Sequence, residues 1–176
     1  MIHSRESISD KIKENSKRLE DWMQKQSAEA FEKGPEGKWT TGQHLDHLIK
    51  SVVPLNQAFL LPKFVYQMKF GKPNRPPRDF EALVARYNEK LTKGGQAPSR
   101  FVPPSVTLEQ KQSLIAKFSK EYQKLANKTL KWKEADLDAY LLPHPLLGKV
   151  TVREMLFFTA HHIVHHLEIL EDKYEK

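Results

Sequence analysis

The chain has 176 residues, 39% hydrophobic and 29% charged, which is one domain's worth with enough apolar material for a core and too much for disorder. Lys and Arg number 29 against 22 Asp and Glu, so the formal charge is +7, an excess that suits an anionic small molecule but falls short of a nucleic-acid signature. There is no Cys, which excludes disulfides, cysteine-held metals and cysteine nucleophiles; any thiol in its chemistry must arrive with a ligand.

Four long helices and a Pro-rich middle are predicted, all within a single domain, 1–176. The first spans about 7–31, with Ile8, Ile12, Leu19, Met23 and Ala30 near helical spacing, and ends at the loop Gly34-Pro35-Glu36-Gly37-Lys38. The second begins at Thr40 or Thr41 and carries an apolar seam of Leu45, Leu48, Val52, Leu55 and Phe59. Pro54 lies inside it and predicts a kink, after which the pattern resumes through Phe64 and Tyr66 to Gly71. Residues 72–106 hold six prolines and read as a long connection containing one short helix over about 79–91. A third long helix over about 108–130 opens on the capping-box pair Thr107 and Gln110 and buries Leu114, Phe118, Tyr122 and Leu125. The fourth opens at Thr151, with Glu154 at capping-box spacing, and runs to Tyr174. No strand-like alternation is visible, so the predicted fold is all-α, a four-helix bundle with one long crossover. The N-terminal stretch is charged throughout and without an apolar core, no segment is apolar enough to span a membrane, and a cytoplasmic location is the expectation.

The chemistry lies in the histidines. Four of the eight form His161-His162-x-x-His165-His166 in the fourth helix. Side chains four apart share a helix face, and two imidazoles so placed can hold one metal at about 2.0–2.1 Å. Setting Ile163 at the centre of the apolar face, with about 100° per residue, puts His166 about 60° and His162 about 100° away, and His161 and His165 about 160° away beside Glu168 and Asp172. Thus His162 and His166 flank the core, while His161 and His165 face solvent. The inner pair is either half of a metal site or a pair of hydrogen-bonded core histidines; spacing does not choose, and a third ligand is required. In the second helix His44 and His47 are three apart, and the apolar seam favours His44.

Two stretches resemble the motifs of the DinB-like superfamily. Trp39-Thr40-x-x-Gln43-x-x-x-His47-Leu48 resembles its first motif. His144-Pro145-x-x-Gly148-x-x-Thr151, leading to His162-x-x-x-His166, resembles its second. The resemblance implies a metal-dependent four-helix bundle whose ligands are His47, His162 and His166, preferring His47 where periodicity prefers His44. His44 stands where the family usually has an apolar residue, as a neighbour of the site, a substitute ligand or a flank. Gln43, one turn before His47, is placed to orient the site. Members include S-transferases using bacillithiol or similar low-molecular-weight thiols, a mycothiol-dependent isomerase, and proteins described as metal-dependent hydrolases. The implied cofactors are a divalent ion (Zn, Ni or Fe) and a low-molecular-weight thiol, the implied partner a small-molecule substrate, and analogy adds a homodimer.

Such an ion on three neutral imidazoles supplies a Lewis acid with an open position, able to acidify water or a thiol. Lys63, Lys69, Lys72, Arg75 and Arg78, with no acid among them, are candidates to neutralise a carboxylated ligand, or else form a solvated basic loop. Asp46 and Glu154 are nearby carboxylates, Glu154 fitting a helix cap better than a base, and His144 fits a turn. No catalytic residue beyond the ligands is assigned. The competing reading is a metal-containing binding or stress-response protein without turnover. A nucleic-acid binder is disfavoured by the lack of a DNA-reading motif.

Overall fold

In the computed structural model, residues 2–174 are described. The chain is mostly helical, with one small antiparallel hairpin. Helix α1 (Arg5–Lys25) starts where the Ser4 side chain accepts the Ser7 amide and buries Ile8, Ile12, Leu19 and Met23. The single helix predicted over 7–31 is divided. Gln26 takes an extended backbone, and Ser27 caps a second helix, α2 (Ala28–Glu32), by accepting the Ala30 amide at 3.1 Å.

Helix α3 (Thr41–Ala58) opens on a capping box between Thr40 and Gln43. It continues past Pro54; the chain breaks instead at residues 59–62, before α4 (Lys63–Phe70). Gly71 stops α4 at φ 81°, a conformation that favours glycine. Helix α5 (Phe80–Thr92), capped by Asp79, is the short helix of the Pro-rich connection. Helix α6 (Lys111–Thr129) follows a single tight turn over Leu108–Gln110. After the short α7 (Asp136–Ala139), strands β1 (Leu141–His144) and β2 (Gly148–Thr151) pair antiparallel, His144 opposite Gly148. The hairpin corrects the expectation of no strands: four residues are too few for alternation to show, and Pro143 interrupts the first. Helix α8 (Val152–Tyr174) completes the described residues.

Helix α1 packs against α6 and α8, and α3 packs against the same two. The core between them includes Leu45, Leu48, Phe118, Tyr122, Leu156, Phe157 and Ile163, all essentially inaccessible. Helix α5 lies against α8, adding Leu83 to the core and setting the Phe80 ring 5.7 Å from that of Phe157. Gly42 marks a close approach beside the histidines of α3. A Cβ there would stand 2.4 Å from Val106 Cγ2 and 2.8 Å from the Phe31 ring. We expect Gly42→Ala to destabilise the protein by about 1–3 kcal/mol through overpacking, read from urea unfolding midpoints.

Candidate metal centre

The fold brings His47 of α3 to His162 and His166 of α8. The Nε2 atoms of His162 and His166 are 3.1 Å apart, and those of His47 and His162 are 3.3 Å apart. Two nitrogens sharing one ion tetrahedrally at about 2.0–2.1 Å stand about 3.3 Å from each other, so the spacing fits a common ion. All three residues are buried, and one ring nitrogen from each lies within 4.8 Å of the others. Burial pushes all three below the ordinary imidazole pKa, most strongly His162 and His166, which keeps them in the neutral form that ligates.

The protons can be placed. His47 Nδ1 donates to the Phe101 carbonyl at 2.8 Å, which leaves Nε2 as a lone pair facing the other two rings. His166 Nδ1 lies 2.8 Å from His44 Nδ1, His44 Nε2 lies 3.4 Å from the Tyr174 hydroxyl, and that hydroxyl donates to the Trp39 carbonyl. Run in that direction, every donor meets an acceptor, and His166 also presents a bare Nε2. Lone pairs crowded together away from water repel unless something positive stands among them. The donor set therefore fits a divalent cation. His44 is placed behind His166 rather than in the cluster, and burial depresses its pKa to about 4.

Periodicity alone had favoured His44; the structure puts it on the far side of the His166 ring. Gln43 does not orient the site. Its Oε1 accepts the Thr40 amide at 2.9 Å and its Nε2 reaches the Pro104 carbonyl. His161 and His165 point outward but are half-buried rather than open to solvent. Helix α5 covers them, with the Tyr87 ring 6.0 and 5.8 Å from theirs, and among the described residues neither bonds a carboxylate. Their orientation away from the cluster agrees with the helical wheel; their cover comes from a segment that the wheel does not contain.

The basic stretch is largely committed to structure. Arg75 grips the fully buried Glu154 with two bonds of 2.8 Å, Arg78 adds its amide at 2.9 Å and its guanidinium at 3.1 Å, and Lys63 pairs with Asp136. Glu154 also accepts the Thr151 amide at 2.8 Å, so it is the cap the spacing suggested. Asp46 pairs with Lys50 at 3.3 Å. Sequence reasoning gave no role to Phe101, Trp39 or Tyr174. Phe101 acts through its backbone carbonyl, for which no side-chain signal exists. The Trp39 ring lies 4.9 Å from that of His47 and is stacked nearly parallel to that of His166.

A cavity of about 360 Å³ adjoins the cluster, lined by His47 and His162 at one end and by His144 and Arg100 elsewhere. Its remaining walls are mostly apolar, among them Leu55, Phe70, Leu142, Met155 and Phe158. No carboxylate lines it among the described residues, so neither Asp46 nor Glu154 is in place as a base. Among the same residues no helix is long and apolar enough to cross a membrane.

A search of curated proteins finds no match. The sequence profile of the DinB superfamily matches residues 11–170, which spans both motifs and every residue of the histidine cluster. With nearly the whole chain matched and both motifs meeting at one buried cluster, the chain belongs to the DinB superfamily.

Proposed function

We propose that this protein is a metal-dependent enzyme that acts on a small molecule by thiol S-transfer or hydrolysis, with His47, His162 and His166 as ligands of a divalent Zn, Ni or Fe ion. The domain is read as residues 1–176, a four-helix bundle of α1, α3, α6 and α8 with 72–106 as the crossover. The observation that carries the reading is the convergence of three buried histidine rings, one nitrogen of each within 4.8 Å of the others, beside a cavity of ligand size. When bound, the ion supplies a Lewis acid that stabilises a nucleophile or a developing oxyanion. The protein's own part is to hold His47 in one tautomer through Phe101 and His166 through His44, to exclude water with apolar walls, and to admit a substrate from the cavity. A thiol nucleophile would belong to a bound cofactor, since the chain has none.

Metal content before and after chelation tests the site, and a panel of low-molecular-weight thiols with electrophilic acceptors, run beside ester and amide hydrolysis, tests the reaction. Metal-dependent turnover on any of them supports the reading. Stoichiometric metal without turnover on all of them favours a binding protein. His44→Leu leaves all three ligands in place but removes the acceptor for the His166 proton. It should weaken metal binding by about 10–100-fold, read by competition with a chelator.

A further inference from the structure

His144 is fixed in an unusual way for a turn residue. Its Nδ1 accepts two backbone amides, those of Leu146 and Leu147, each at 3.1 Å. Pro145, between His144 and Leu146, has no N–H to offer. A nitrogen that accepts two amides carries no proton, so the proton of this neutral imidazole sits on Nε2. That Nε2–H has no protein acceptor among the described residues. Yet the residue is only 7% exposed, its ring held edge-on against Phe158 at 4.1 Å, and it lines the same cavity as His47 and His162. Its Nε2 is not among the buried side-chain nitrogens that lack a partner, so on this cavity wall the donor is open to an acceptor that a ligand brings. Among the described residues Arg100 is the one charged side chain on the lining, and its guanidinium lies over the Phe101 ring at 4.7 Å from the centroid.

We infer that the cavity binds a small molecule with an apolar body and an anionic oxygen group, and that His144 donates to that oxygen from Nε2 while Arg100 supplies the balancing charge. This rests on reading the cavity as the substrate site of the proposed enzyme. It excludes cationic substrates, for which the walls offer no carboxylate. His144 is a binding residue here and holds no metal.

Octanoate, octanol and octylammonium serve as probes, titrated calorimetrically into the full chain both metal-loaded and chelated. Octanoate should bind at least about tenfold more tightly than octylammonium in both states. His144→Asn keeps an oxygen for the two turn amides and removes the Nε2 donor; it should lose about tenfold in octanoate affinity. His144→Gln, whose amide N–H reaches the Nε2 position, should stay within about threefold of the parent. Arg100→Gln should weaken octanoate and leave octanol unchanged, which covers the case of a misfolded His144 variant. Long-range ¹H–¹⁵N spectra should show the His144 proton on Nε2. Equal affinity for the three probes, an Asn variant as good as the parent, or a proton on Nδ1 would each overturn the inference. Metal analysis of the same samples separates the two readings: protein without metal that still prefers octanoate defeats the proposed enzyme and retains this site.

Discussion

His162→Ala and His166→Ala should each abolish retention of a divalent ion through gel filtration, while His161→Ala and His165→Ala should keep it at the parental ratio. The four residues lie on one turn and a half of α8 and differ only in direction. The inner two present Nε2 atoms 3.1 Å apart toward His47; the outer two face the Tyr87 ring of α5. Losing one of three neutral ligands should cost more than the roughly 10–100-fold that accompanies loss of a residue hydrogen-bonded behind a ligand. Elemental analysis of the eluted protein gives the answer, with an unfolding midpoint recorded for each variant so that metal loss is not confused with collapse. His161 is a useful control, because among the described residues its buried Nε2 has no hydrogen-bond partner and its removal leaves no donor or acceptor there orphaned. Metal loss from the outer variants alone would show that the cluster is misassigned.

Glu154→Gln should destabilise the fold by about 2–3 kcal/mol at neutral pH, below the usual cost of breaking a fully buried pair because Arg75 and Arg78 can turn toward water. The carboxylate is 0% exposed and gathers Arg75, Arg78 and the Thr151 amide, whereas the two arginine side chains keep 32% and 28% of their exposure. A glutamine would set an N–H₂ against some of these donors. Burial by itself raises the Glu154 pKa; the Arg75 guanidinium and the amides of Arg78 and Thr151 outweigh it, and the net direction is down. The sign follows from linkage. A carboxyl whose folded pKa lies below its unfolded value of about 4.3 gives its full stabilisation above that value and loses it as pH falls through the folded pKa. Urea unfolding at a series of acid pH values should therefore show a shallower acid limb in the Gln variant than in the parent. The same contact ties the segment before α5 to the start of α8. Loosening it should also expose His161 and His165, measurable as faster histidine hydrogen–deuterium exchange at C2.

Much of the fold was legible because helices announce themselves locally. The period of Ile8, Ile12 and Leu19 in α1 and of Leu156, Ile163 and Leu170 in α8 gives both the element and its buried face, and the capping pairs Thr107–Gln110 and Thr151–Glu154 fix two starts. The division of the first helix at Gln26 was missed because the apolar pattern continues across it to Phe31, while Ser27 quietly supplies a new cap. The break at residues 59–62 rather than at Pro54 has a comparable cause. Pro54 removes one backbone bond that packing on both sides of it can replace, whereas Pro62 begins a new helix.

What the sequence by itself determined is which face of α8 is apolar, hence that His162 and His166 turn inward, and that no thiol of the chain takes part. The tertiary structure decided that His47 faces both inner rings while His44 stands behind His166, that α5 packs over His161 and His165, and that His144 borders a cavity with its proton on Nε2. The physical reason is one of range. A helix face is set by residues within two turns, but the partner that meets it, and the nitrogen that carries a proton, are set by groups such as the Phe101 carbonyl and the Tyr174 hydroxyl, 54 residues from His47 and 130 from His44 along the chain.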